Sequence, residues 1–128
     1  MSEEFTLYIY DYVSQKWKTE NEEKINIYYS KTFPSEVKIY IYIDLLIGVE
    51  PKLLINIPEG INLKRDPSKE QKLNQKGIYT IILELLRKPN NDLVKLILSL
   101  NQRSQQISFH LKEGNYNHEL SKVYLNVN

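Results

Sequence analysis

Two histidines, His110 and His118, are the only imidazoles in the chain, and no cysteine is available to join them. A predicted turn separates them and they share no helical or strand register. Glu119 adjoins His118, but no ligand spacing of a zinc or iron site forms around either ring. Both read as ordinary surface histidines beside a glycine turn, and no metal or cofactor is expected. Nucleophilic chemistry is equally poorly served. There is no Gly-x-Ser-x-Gly elbow, and the four glycines lie scattered at 48, 60, 77 and 114, so no phosphate-cradling loop can form. A carboxylate pair of the kind used in acid–base work would have to come from Asp11 and Asp44. Each is assigned to the non-aliphatic face of its strand, and solvated strand carboxylates are the commoner case. The sequence therefore points away from an enzyme.

The side chains with the most to offer are tyrosines. Tyr8, Tyr10 and Tyr12 alternate with Phe5, Leu7 and Ile9. Tyr28 alternates with Ile25 and Ile27, and Tyr40 and Tyr42 with Ile39, Ile41 and Ile43. With the aliphatic rows turned into a core, these six phenols face outward. Neighbouring strands would merge them into one surface edged by Lys38 and Asp44. Tyrosine combines large contact area, few rotors and a polar tip, which suits protein recognition. The expected partner is another protein or further copies of this chain. Sugar stacking is disfavoured because the only tryptophan, Trp17, falls between predicted strands. High β-propensity alone also accounts for tyrosine in such positions.

The elements that carry these residues are strands throughout. Period-two alternation runs through 5–10, 25–28, 37–46 and 107–112, and alanine, the best helix former, is absent from the whole chain. Lys52 to Ile57 reads as a short strand closed by Pro58-Glu59-Gly60. Residues 62–76 are polar and charged with Pro67 inside, and read as a long surface loop. Gly77 opens a strand through about Arg87, and Pro89-Asn90-Asn91 reads as a hairpin turn into Leu93–Leu100. A last strand carries Val123, Leu125 and Val127. About eight short strands at hairpin spacing predict an all-β, antiparallel two-sheet sandwich occupying residues 1–128 as one domain.

The stretch EPKLLINIPEGINL, then a polar loop, LNQKGIYTIILEL and DLVKLILSL, is similar to immunoglobulin-like and fibronectin-like accessory modules. The resemblance covers roughly residues 36–112 and implies a fold, with no catalytic or binding residue attached. A second resemblance competes. DLVKLILSLNQRSQQISFHLK, residues 92–112, resembles the helix-turn-helix of winged-helix repressors, with Ile107, Ser108, His110, Leu111 and Lys112 matching the recognition-helix phrase. It would turn Arg103, Gln105, Gln106 and His110 toward a DNA groove. Against it stand Asn101 and Gln102 at the turn, and the strict alternation of Ile107 to Lys112.

Charge excludes little else. Seventeen Lys and Arg against sixteen Asp and Glu leave a formal +1, so no global field recruits nucleic acid or anionic lipid. Locally, the 62–76 segment holds Lys64, Arg65, Lys69, Lys72 and Lys76 against Asp66 and Glu70, a net +3. It is expected to be a solvated connector, since no aromatics are interleaved for base stacking. The acidic start MSEEFTLYIY lacks the apolar core of a signal peptide, no apolar run is long enough for a membrane helix, and cysteine is absent. A cytoplasmic protein with no membrane partner is the expectation.

Overall fold

The computed structural model describes residues 4–19 and 24–114. The expected last strand, with Val123, Leu125 and Val127, and His118 lie outside the described residues. Nine strands and one short helix follow in chain order: β1 (Phe5–Asp11), β2 (Lys16–Lys18), β3 (Asn26–Tyr29), β4 (Ser35–Leu45), β5 (Lys52–Asn56), β6 (Ile61–Arg65), α1 (Pro67–Glu70), β7 (Gly77–Leu85), β8 (Leu93–Leu100) and β9 (Arg103–Glu113). They form a five-stranded sheet in the order β2-β1-β4-β7-β6 and a four-stranded sheet in the order β3-β9-β8-β5. The fold is all-β with two sheets, as expected.

The aliphatic rows do what their alternation demands. Leu7, Ile9, Ile39, Ile41, Ile43, Ile81, Leu83 and Leu85 from one sheet meet Ile27, Leu96, Leu98, Phe109 and Leu111 from the other in one buried cluster. Burying each such side chain is worth roughly 1.5–3 kcal/mol, which is why period two is held so strictly along β1 and β4.

Three details depart from expectation, and the competing helix-turn-helix resemblance falls. The sandwich is not purely antiparallel, because β3 runs parallel to β9, with Asn26 opposite His110 and Tyr28 opposite Lys112. Residues 92–112 form β8 and β9, an antiparallel hairpin turning at Asn101 with φ of 57°, where a helix-turn-helix would need helices. The segment after Gly60 is no plain loop. It continues β6, which pairs with β7 through a register shift between Leu63 and Arg65. Asp66 then accepts a hydrogen bond from the Ser68 N–H, and buried Pro67 starts α1 at the position where its missing donor costs nothing. Finally, Pro89-Asn90-Asn91 carries the chain from one sheet to the other, so it is not a hairpin turn.

Side chains also join the sheets. Gln105, buried on β9, accepts from the Leu7 N–H at 2.7 Å and donates to the Leu7 carbonyl at 2.8 Å. Its amide copies a backbone partner along the part of β1 that β2 does not reach. Arg103 donates to the Phe5 carbonyl at 2.9 Å, its guanidinium 4.3 Å from the Phe5 ring centre. No helix among the described residues is long and apolar enough to cross a membrane.

Candidate functional site: the aromatic face of the five-stranded sheet

The site is assembled by register. Tyr8 stands opposite Tyr42, and Tyr42 opposite Ile78 on β7. Tyr40 stands opposite Thr80, Lys38 opposite Ile82, and Trp17 on β2 opposite Tyr10 on β1. All lie on the face turned away from the core. The β1–β2 connection that delivers Trp17 is held by Asp11. Its carboxylate accepts from the Val13 N–H and the Ser14 hydroxyl, both at 3.0 Å, and pairs with Lys18 at 2.7 Å. Burial alone would raise the Asp11 carboxyl, but Lys18, Val13 and Ser14 outweigh it and hold it below its ordinary value.

The rings form a connected cluster. Tyr10 lies 5.3 Å from Tyr12 in an edge-on arrangement and 5.3 Å from Trp17. Trp17 lies 6.0 Å from Tyr42, Tyr8 lies 5.9 Å from Tyr42, and Tyr12 lies 6.3 Å from Tyr40. These separations are those of attractive offset and edge-to-face contacts. The Tyr12 hydroxyl donates to the Lys38 carbonyl at 2.6 Å. Burial raises the Tyr12 and Tyr10 phenols above their ordinary values, helped by neighbouring Tyr40 and Tyr10 for the first and by Asp11 for the second. Both remain neutral donors. Among the described residues the buried Trp17 indole N–H has no hydrogen-bond partner, a cost of about 1–3 kcal/mol that the ring contacts must offset.

Of the six tyrosines expected on one surface, Tyr8, Tyr10, Tyr12, Tyr40 and Tyr42 come together. Tyr28 does not. It lies on β3 in the other sheet, packed so close to Gly114 that a Cβ there would meet its ring at 2.6 Å. The five that gather are not an open platform of phenols either. Tyr10 and Tyr42 are only 3% and 4% exposed and Tyr12 is buried, leaving Tyr8 and Tyr40 half-buried. Beside them β7 adds half-buried Ile78, Thr80 and Ile82, and Trp17 is half-buried as well. The signal for the β7 contribution is its nearly continuous apolar run, Ile78 to Leu83, interrupted only by Thr80. That is the pattern of a strand apolar on both faces.

A charged rim surrounds this patch. Lys76 pairs with Asp44 at 3.5 Å, Lys64 with Glu36 at 2.6 Å, and Asn62 donates to Glu84 at 3.3 Å. Arg65 adds a pair with Glu70 at 3.0 Å. Lys64, Arg65 and Lys76, three cations of the 62–76 segment, are thus engaged by carboxylates of the same chain.

The other chemical candidates do not assemble. Asp11 shares the inner face with Ile9 and is buried, correcting its assignment to the non-aliphatic face, whereas Asp44 stands opposite Thr6 on the outer face. Five strand positions, roughly 16 Å at 3.3 Å per residue, separate Thr6 from Asp11. His110 is not a plain surface histidine: it lies half-buried with Nδ1 2.9 Å from Asp92, whose other oxygen pairs with Lys112 at 2.7 Å. No group of three metal-ligating side chains occurs among the described residues. Protein-family models, curated proteins and solved structures all lack a match to this chain.

Proposed function

We propose that this chain is a non-enzymatic interaction or structural-assembly module that binds another protein, or further copies of itself, through the outer face of the five-stranded sheet. One observation carries the reading. Aromatic and branched aliphatic side chains from four adjacent strands form one continuous outer surface with ion pairs at its margin. Protein interfaces share that plan, with large apolar anchors in the middle and a polar rim. Strand edges are the second contact device. The finer assignment to immunoglobulin-like accessory modules belongs to the same reading, supported by the two facing sheets and the Pro58-Glu59-Gly60 turn after β5. So does a cytoplasmic setting, which the absence of cysteine favours.

The test uses Ile78→Thr combined with Ile82→Thr, which keeps β-propensity while removing apolar contact area. Immobilised full-length chain and double variant are compared for retained protein, with matched far-UV spectra and absorbance read at nucleic-acid and protein wavelengths. Loss of a stoichiometric protein partner by the variant alone is expected. Equal retention by both, or a bound fraction that is nucleic acid stripped by salt, overturns the reading.

A further inference from the structure

The two sheets end in edges of unequal quality. β2 is three residues long, and β6 carries Lys64, Arg65 and a register shift, all of which discourage further pairing. β5 is guarded only at its ends, by Lys52 and the flanking Pro51 and Pro58, and not at its centre. Its central side chain, Leu54, is 60% exposed, and Lys52 is its only charge. Beside its N-terminal half a cleft of about 510 Å³ lies between Pro51–Leu53 and the 68–73 segment, whereas Leu54 to Asn56 lie outside that cleft.

The hydrogen-bonding phase of that edge follows from the neighbouring ladder. The Leu111 N–H donates to the Asp92 carbonyl, so Asp92 and alternate β8 residues after it turn their backbone groups toward β9. Lys95, Ile97 and Ser99 therefore turn theirs toward β5, to Asn56, Leu54 and Lys52. The remaining β5 groups, the N–H and C=O of Leu53 and Ile55, point away from the sheet. Among the described residues they have no backbone partner.

We infer that β5 pairs antiparallel with β5 of a second copy about a twofold axis at Leu54, fusing two four-stranded sheets into one of eight. The occupant is a second copy because the sequence of this strand is self-complementary in that register, with its exposed leucine on the axis and its one charge opposite an amide. Leu53 meets Ile55 of the mate, and their outward N–H and C=O groups form reciprocal bonds on both sides of the axis. Leu54 meets Leu54 at a non-hydrogen-bonded position, where side chains approach most closely and the two exposed leucines cover each other. Lys52 meets Asn56, so no like charges oppose. Pro51 and Pro58 bracket the strand and confine pairing to this short stretch.

This interface lies on the opposite sheet from the aromatic face, so the two succeed or fail separately. Size-exclusion chromatography with light scattering should show the wild-type chain moving, with concentration, toward twice its 15.2 kDa mass. Leu54→Lys should weaken the dimer at least about tenfold with an unchanged far-UV spectrum, since it places two ammonium groups against each other. The chain has no cysteine, so Leu54→Cys can be cross-linked only to its mate. Facing Cα atoms at a non-hydrogen-bonded pair are about 4.5 Å apart, within disulfide range. Leu54→Cys should oxidise to a covalent dimer far faster than Asn62→Cys on the other sheet. A strictly monomeric wild type, equal cross-linking at both positions, or a dimer dissolved by Ile78→Thr/Ile82→Thr but not by Leu54→Lys would each overturn the pairing. The last result would leave the aromatic-face reading standing.

Discussion

The outer faces of the two sheets are built from strands of the same period-two alternation, yet they behave as different materials. On the five-stranded sheet, outward Tyr10 and Tyr42 are almost as buried as the core, Tyr10 against Tyr12 and Trp17, and Tyr42 against Trp17 and Tyr8. On the four-stranded sheet, outward Lys52, Asn56, Ser104, Gln106 and Ser108 are exposed, and order comes from polar contacts such as Asp92 with His110 and Lys112. Alternation decides which way a side chain points. Whether it is then wet depends on the size of its cross-strand neighbours, because aromatic rings reach diagonal as well as directly opposite partners and so cover more of the sheet than short polar side chains do.

The largest contrast is therefore in truncation. Tyr42→Ala should cost about 3 to 4 kcal/mol in urea denaturation, as for a core aromatic, because its ring contacts and buried area vanish together. Ser108→Ala, at an outward site on the other sheet, should stay within about 0.5 kcal/mol. Similar values for the two would mean the rings are not packed as a second core, and the comparison would collapse.

The inner faces sharpen it. Gln105→Ala keeps the apolar core intact but leaves the buried N–H and C=O of Leu7 without the amide that completes β1. A loss of about 2 to 3 kcal/mol is expected, because orphaned backbone groups pay their desolvation in full. Gln105→Glu should recover only the half in which the side chain accepts. Faster amide exchange at Leu7, with other core amides unchanged, would locate the damage at this strand edge.

The long strands were legible because their buried faces leave a period-two imprint. Phe5-Leu7-Ile9 and Val37 to Leu45 show it, and the structure places β1 and β4 there. β2 was illegible since three residues, Lys16-Trp17-Lys18, are too few for a period, and so Trp17 was separated from the tyrosines it contacts. β6 was hidden because an edge strand wets most of its side chains, here Asn62, Lys64 and Arg65. For α1 the Asp66-Pro67 start signal was present, but four residues carry no helical periodicity. The parallel pairing of β3 with β9 could not be read either, since alternation is indifferent to strand direction. At the site, the direction of the tyrosines on β1 and β4 was readable. Their mutual burial was not, nor was the placing of Tyr28 on the other sheet, because both depend on which strands become neighbours.

The smallest effect is electrostatic and belongs to the wet face alone. Lys112, at 2.7 Å, and then His110, at 2.9 Å, hold the Asp92 carboxyl at about 2, below its ordinary 3.8. A carboxyl depressed by folding contributes its stability above the unfolded value, where both states are ionised. As pH falls below about 4, the unfolded chain takes up the proton first, and the contribution fades until the folded carboxyl is protonated too, near 2. The Asp92 side chain is 30% exposed, so solvent and salt screen the pair and the gain stays under about 1 kcal/mol. Asp92→Asn should therefore lower the urea midpoint slightly near neutral pH, converge with wild type near pH 2, and lose its effect in high salt. Tyr42→Ala should show none of this dependence, because the contacts it removes carry no charge. If Asp92→Asn instead cost as much at pH 2 as at neutral pH, its role would be in hydrogen-bond geometry at the start of β8, and the polar face would be held by packing after all.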